Sequence, residues 1–100
     1  MAGTLVLDTI LANIADELRA MAVAARSIDE AAGDMVARGP ADAAPAAVLQ
    51  EVDRVRQSLD CLHILMENLA RAGCGRGAVA VADAADGVYL EAIRKRCLQP

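Results

Sequence analysis

Two stretches of this chain repeat apolar residues at alternating steps of four and three, and that repeat restricts the fold more than any other feature. In the first, Leu7, Leu11, Ile14, Leu18, Met21, Ala25, Ile28, Ala32 and Met35 keep the alternation unbroken. In the second, Val48, Val52, Val55, Leu59, Leu62, Met66 and Leu69 do the same. Such spacing is the seam of a helix that packs lengthwise on another helix. The pattern predicts helices over about residues 4–37, with Thr4 as N-cap, and 45–71. The first seam would run along roughly 45 Å of helix at 1.5 Å per residue.

Gly39 and Pro40 supply a helix stop, and Pro45 suits the first turn of the next helix, where its missing N–H costs nothing. So short a link between long helices predicts an antiparallel hairpin. Its turn end can be narrow, because Ala25, Ile28, Ala32 and Met35 would face Val48, Val52 and Val55. At the other end Leu7, Leu11, Ile14 and Leu18 face Leu59, Leu62, Met66 and Leu69. There the second helix adds Cys61, Ile64 and Leu65 outside its seam. That end is too apolar for one neighbour and calls for a third helix, a second copy of the chain, or both.

The run Gly73-Cys74-Gly75-Arg76-Gly77 closes the second helix as a joint. It follows a helix rather than a strand and lacks the Lys-Ser/Thr of a phosphate-binding loop. A shorter third helix is expected over about 79–96, with Val81, Ala85, Val88, Tyr89, Ala92 and Ile93 as its apolar face. Gly87 inside it would cost about 1 kcal/mol relative to Ala. Arg94, Lys95 and Arg96 in its last turn complement the helix dipole. This helix could fold over the wide end of its own hairpin or swap onto a partner.

Composition agrees with an all-α domain. Of 100 residues 56% are hydrophobic, yet Tyr89 is the only aromatic, so the core is built from aliphatic side chains and Ala. Alternating β-branched and aromatic runs are nearly absent. A net charge of −4 without an arginine-rich face argues against nucleic-acid binding. Cys61, Cys74 and Cys97 are an odd number without metal-ligand spacing, as for free thiols in a reducing compartment. Neither a signal peptide nor a membrane span is visible, and a cytoplasmic location is expected. The tail Arg94–Pro100 puts Cys97 fourth from the end, but Gln99 and Pro100 break the prenylation pattern.

The second helix also carries a polar stripe, Asp53, Arg56, Asp60, His63, Glu67 and Arg71, with the only histidine of the chain. Asp60 and Glu67 lie three before and four after His63, within reach on the helix surface. A small acidic helical bundle with one such histidine resembles histidine phosphotransfer domains and the dimerisation hairpins of sensor kinases. The phosphotransfer pattern is close to H-x-L-K-G, and His63-Ile64-Leu65-Met66-Glu67 keeps its His and Leu. Met66 stands where that pattern has Lys, and Glu67 where it has Gly. The sensor-kinase pattern of histidine, acid and later Thr-Pro is missing, and the flanking carboxylates repel a phosphoryl group. A metal site on Asp60, His63 and Glu67 would need further ligands that a chain with one histidine does not offer.

No nucleophile, base and orienting group assemble, so no catalytic residue, cofactor or metal is assigned. The expected function is a non-enzymatic helical protein–protein interaction module, a small regulatory or adaptor protein. It would pair as a homodimer with a four-helix-bundle-like core, and another protein could be its target. Leu59, Leu62, Leu65, Met66 and Leu69 are the expected interaction residues. The alternative function is phosphotransfer signalling through His63.

Overall fold

The computed structural model describes residues 3–38, 46–72 and 77–100. The elements run β1 (Thr4–Val6), α1 (Leu7–Arg38), α2 (Ala46–Arg71), β2 (Ala78–Ala80), α3 (Val81–Ala85) and α4 (Glu91–Cys97). The fold is mainly helical, dominated by two long helices packed on each other, in a particle of 55 × 20 × 19 Å. Residues 39–45 can span at most about 25 Å. That is well short of the roughly 48 Å of α1 at 1.5 Å per residue, so the two helices run antiparallel. The Gly39-Pro40 stop, Pro45 and the Gly73–Arg76 part of the joint lie outside the described residues.

Three details depart from expectation. The helix expected from Thr4 starts at Leu7, because Thr4–Val6 instead pair with Ala78–Ala80 as a two-stranded antiparallel ribbon. Leu5 faces Val79 in that register, and Val79 is buried while Ala78 is exposed, the two-residue alternation of a strand. The Leu7 N–H donates to the Gly77 carbonyl at 2.8 Å and the Val81 N–H to that of Gly3 at 2.7 Å, so the ribbon ties the start of α1 to the start of α3.

The single third helix expected over 79–96 is the second departure: it is two short helices and half of the ribbon. Gly87 is not in a helix but in the turn between α3 and α4, at φ +78°. A Cβ there would meet only Ile64 Cγ2 at an ordinary 3.5 Å, so the obstacle to a side chain is the left-handed backbone. Gly87→Ala is expected to lower stability by about 1–2 kcal/mol in urea unfolding. A change below the error of the measurement would contradict this account of the turn.

The third departure is one of helical phase. The buried row of α1 is Ile10, Ile14, Glu17, Met21 and Ala24, and Leu11, Leu18, Ala25 and Ala32 of the expected seam are exposed. On α2 the buried residues are Ser58, Cys61, Leu62, Leu65, Asn68 and Leu69, leaving Val52, Leu59 and Met66 outside. Both helices are rolled toward one flank of the hairpin by the C-terminal segment. There α4 packs on α1 and α2, and α3 packs on α2 of the same chain. The core therefore sits at the wide end, where Ile10, Ile14, Cys61, Leu62, Leu65 and Leu69 meet Val79, Ala84, Val88, Ile93 and Cys97.

Polar groups clamp this covered flank. Asn13 Nδ2 donates to the Cys97 and Gln99 carbonyls, both at 2.9 Å, satisfying acceptors at the end of α4. Arg96 pairs with Glu17 through both its Nε and a terminal nitrogen, so the one buried carboxylate of α1 has a counter-charge. Cys61 and Cys97 are buried free thiols, and burial pushes the Cys97 thiol up to about 11, with Glu17 adding to the shift and Arg96 opposing it.

Candidate interaction face

Among the described residues the opposite flank of the hairpin carries exposed apolar side chains. Leu11 (47% exposed) and Leu18 (45%) on α1 stand beside Val52 (44%), Leu59 (46%) and Met66 (52%) on α2. Within each helix these residues repeat every seven, so each set forms one row. Leu11 and Leu18 lie about 100–160° around α1 from Asn13 and Glu17, which grip α4. Met66 and Leu59 lie about 160–180° around α2 from Asn68, which grips α3. Both rows thus turn away from the C-terminal segment and share the hairpin's open side.

The level of one row against the other follows from the cleft between the helices. Met21 and Ala24 line that cleft together with Val55 and Ser58. Counting along antiparallel helices from there, Leu18 falls level with Leu59, Leu11 with Met66 and Ala25 with Val52. The open face is a ladder of three rungs one heptad apart, large at the wide end and small toward the turn.

Of the five residues expected at an interface, the structure separates two from three. Leu62, Leu65 and Leu69 are buried in the chain's own core, whereas Leu59 and Met66 remain on the surface. Leu11, Leu18 and Val52 belong to the face as well. Reading them as seam residues between the helices hid that role, and their heptad spacing was the signal that could have revealed it.

His63 borders this face, one turn from both Leu59 and Met66, with 70% of its side chain exposed. Its Nε2, a nitrogen that could accept a phosphoryl group, lies 3.2 Å from Glu67 Oε1. Asp60 accepts a hydrogen bond from the Tyr89 hydroxyl at 3.2 Å. Along the same stripe Arg56 pairs with Asp53 at 2.9 Å, holding its guanidinium pKa up, and Arg71 donates to Asn68 Oδ1. The stripe is mostly local side-chain pairs along α2, with Asp60 tied to Tyr89 between α3 and α4. Among the described residues no group of three or more His, Cys, Asp or Glu side chains could hold a metal ion.

Fold and face together define a helical hairpin closed on one flank by a β-ribbon and two short helices and open on the other. The chain belongs to a family described as a domain of unknown function (DUF8776), whose pattern matches residues 4–100. No curated protein and no solved structure matches it. Among the described residues no helix is long and apolar enough to cross a membrane.

Proposed function

We propose that this chain is a non-enzymatic helical interaction module, a small cytoplasmic regulatory or adaptor protein that self-associates through the open face of its hairpin. The carrying observation is the ladder of Leu11, Leu18, Val52, Leu59 and Met66, five large apolar side chains about half exposed on one side of two adjacent helices. Monomers seldom leave a contiguous apolar patch of that kind uncovered. Covering a half-exposed aliphatic side chain is worth roughly 1 kcal/mol. Summed over both copies, this is of the order of the 4–15 kcal/mol cost of association, which suits a reversible dimer rather than a permanent one.

The test is a charge in the middle of the ladder. Wild-type protein is expected to sediment as a dimer at tens of micromolar, and Leu59→Asp as a monomer with an unchanged far-ultraviolet circular dichroism spectrum. Leu59 is preferred to Leu62 because Leu62 is in the chain's own core, where a carboxylate would unfold the molecule. A monomeric wild type, or a Leu59→Asp variant that still dimerises, would sink the proposal.

A further inference from the structure

We infer that the turn half of the hairpin is an arm that opens as a unit while its base stays folded. The opening goes beyond self-association and does not depend on what the open face binds. On α1 the last buried residue before the turn is Ala24, and on α2 the first after it is Ser58. Between them none of the described residues is buried. Over residues 25–38 and 46–56 only Ile28, Ala31 and Met35 on α1 and Val48, Glu51 and Val55 on α2 are even half-buried. Their steps of three and four make them the one row that each helix of the arm turns to the other.

The cover supplied by the C-terminal segment stops at the same level. Its anchors on α1 are Asn13 and Glu17. On α2 they are Asn68, Asp60 and, nearest the turn, the Gln57 carbonyl, which accepts from the Tyr89 hydroxyl at 3.5 Å. Every member of the core cluster likewise lies outside the arm. At the boundary a cleft of about 220 Å³ already parts the two helices, between Met21 and Ala24 on one side and Val55 and Ser58 on the other.

Apolar burial is the main force that holds two helices together, so a pair with no buried side chain parts more easily than the base. Neither segment of the arm exceeds the roughly 12–15 residues below which an isolated helix is marginal in water. Gly33 weakens the arm further. It lies inside α1, where an added Cβ would meet nothing within 4 Å, so no close contact calls for a glycine. Opening also changes the exposed face. Ala25 and Val52 form the rung of the ladder nearest the turn, so the ladder is complete only while the arm is closed. Anything seated on that rung binds the closed state and draws the equilibrium toward it.

Hydrogen exchange in the full chain, followed through low concentrations of urea at low micromolar protein, reads the opening. Amides of residues 25–38 and 46–56 are expected to exchange about a hundredfold or more faster than those of residues 14–24 and 61–69. Their rates should rise little with urea, because opening the arm exposes little surface, whereas rates in the base should rise steeply. Gly33→Ala is expected to slow the amides of the arm about fivefold, the equilibrium weight of Ala over Gly in a helix. Equal rates and equal urea slopes in arm and base would overturn the inference. A Gly33→Ala variant whose arm exchanges as in wild type would overturn it as well.

Discussion

Leu65→Ala is expected to lower the free energy of unfolding by about 3 kcal/mol, the largest single-residue loss among the aliphatic positions of the hairpin. Leu65 is 0% exposed on α2, which packs on α1 and both short helices, and it belongs to one cluster with Ile10, Cys61, Val88 and Ile93. Truncation removes the transfer energy of its distal carbons and also leaves a hole. The cluster draws its members from α1, α2, α3 and α4 at once, so no single element can move in to fill that hole. In a chain of this size total stability is of the order of 5–15 kcal/mol, so the variant should show a much lower urea midpoint with an unchanged slope. Leu49→Ala is the control: Leu49 is 62% exposed near the start of α2, and its loss is expected within about 0.5 kcal/mol. Equal midpoint shifts for the two would refute this placement of the core.

The second large effect is polar. Asn68 Nδ2 donates to the Ala84 carbonyl at 2.8 Å and to the Asp86 carbonyl at 2.6 Å, while its Oδ1 accepts from Arg71. The side chain is buried, and it closes the end of α3 against α2, where α3 is too short to hold itself. Asn68→Ala leaves two carbonyls without their donor and is expected to cost about 2–3 kcal/mol. Asn68→Asp should cost more, because a carboxylate cannot donate and would face the same two oxygens. Hydrogen exchange gives the local signature, faster amides over 81–90 with α1 and the middle of α2 still protected. Uniform acceleration along the whole chain, or none, would mean that Asn68 does not anchor this segment.

Much of this architecture is legible in the residues. The two seams specify two long helices, the short link makes them antiparallel, and the surplus of Cys61, Ile64 and Leu65 outside the second seam announces a further covering element. The covering element is the C-terminal segment of the same chain, through Val79, Ala84, Val88, Ile93 and Cys97. The ribbon was less legible because three residues per strand are too few for a period of two to stand out against a helical repeat. Gly87 was ambiguous for a similar reason. A lone glycine inside an apolar pattern reads equally as a tolerated helix residue or as a turn, and only its positive φ distinguishes them.

The candidate face was harder to read than the fold. Both Ile10-Ile14-Glu17-Met21-Ala24 and Leu11-Ile14-Leu18-Met21-Ala25 step by three and four, and periodicity alone cannot choose between them. Hydropathy favours the second, which avoids Glu17. The folded chain buries the first, because Arg96 arrives from α4 to neutralise Glu17 and Asn13 reaches the end of that helix. By itself, then, the sequence determined the two long helices, their antiparallel order and their apolar content, since these follow from short-range spacing and chain reach. Which row faces inward, and so which leucines remain exposed, was decided only by tertiary structure. That choice depends on a counter-charge 79 residues away and on carbonyl groups 84 and 86 residues away, contacts no local pattern records.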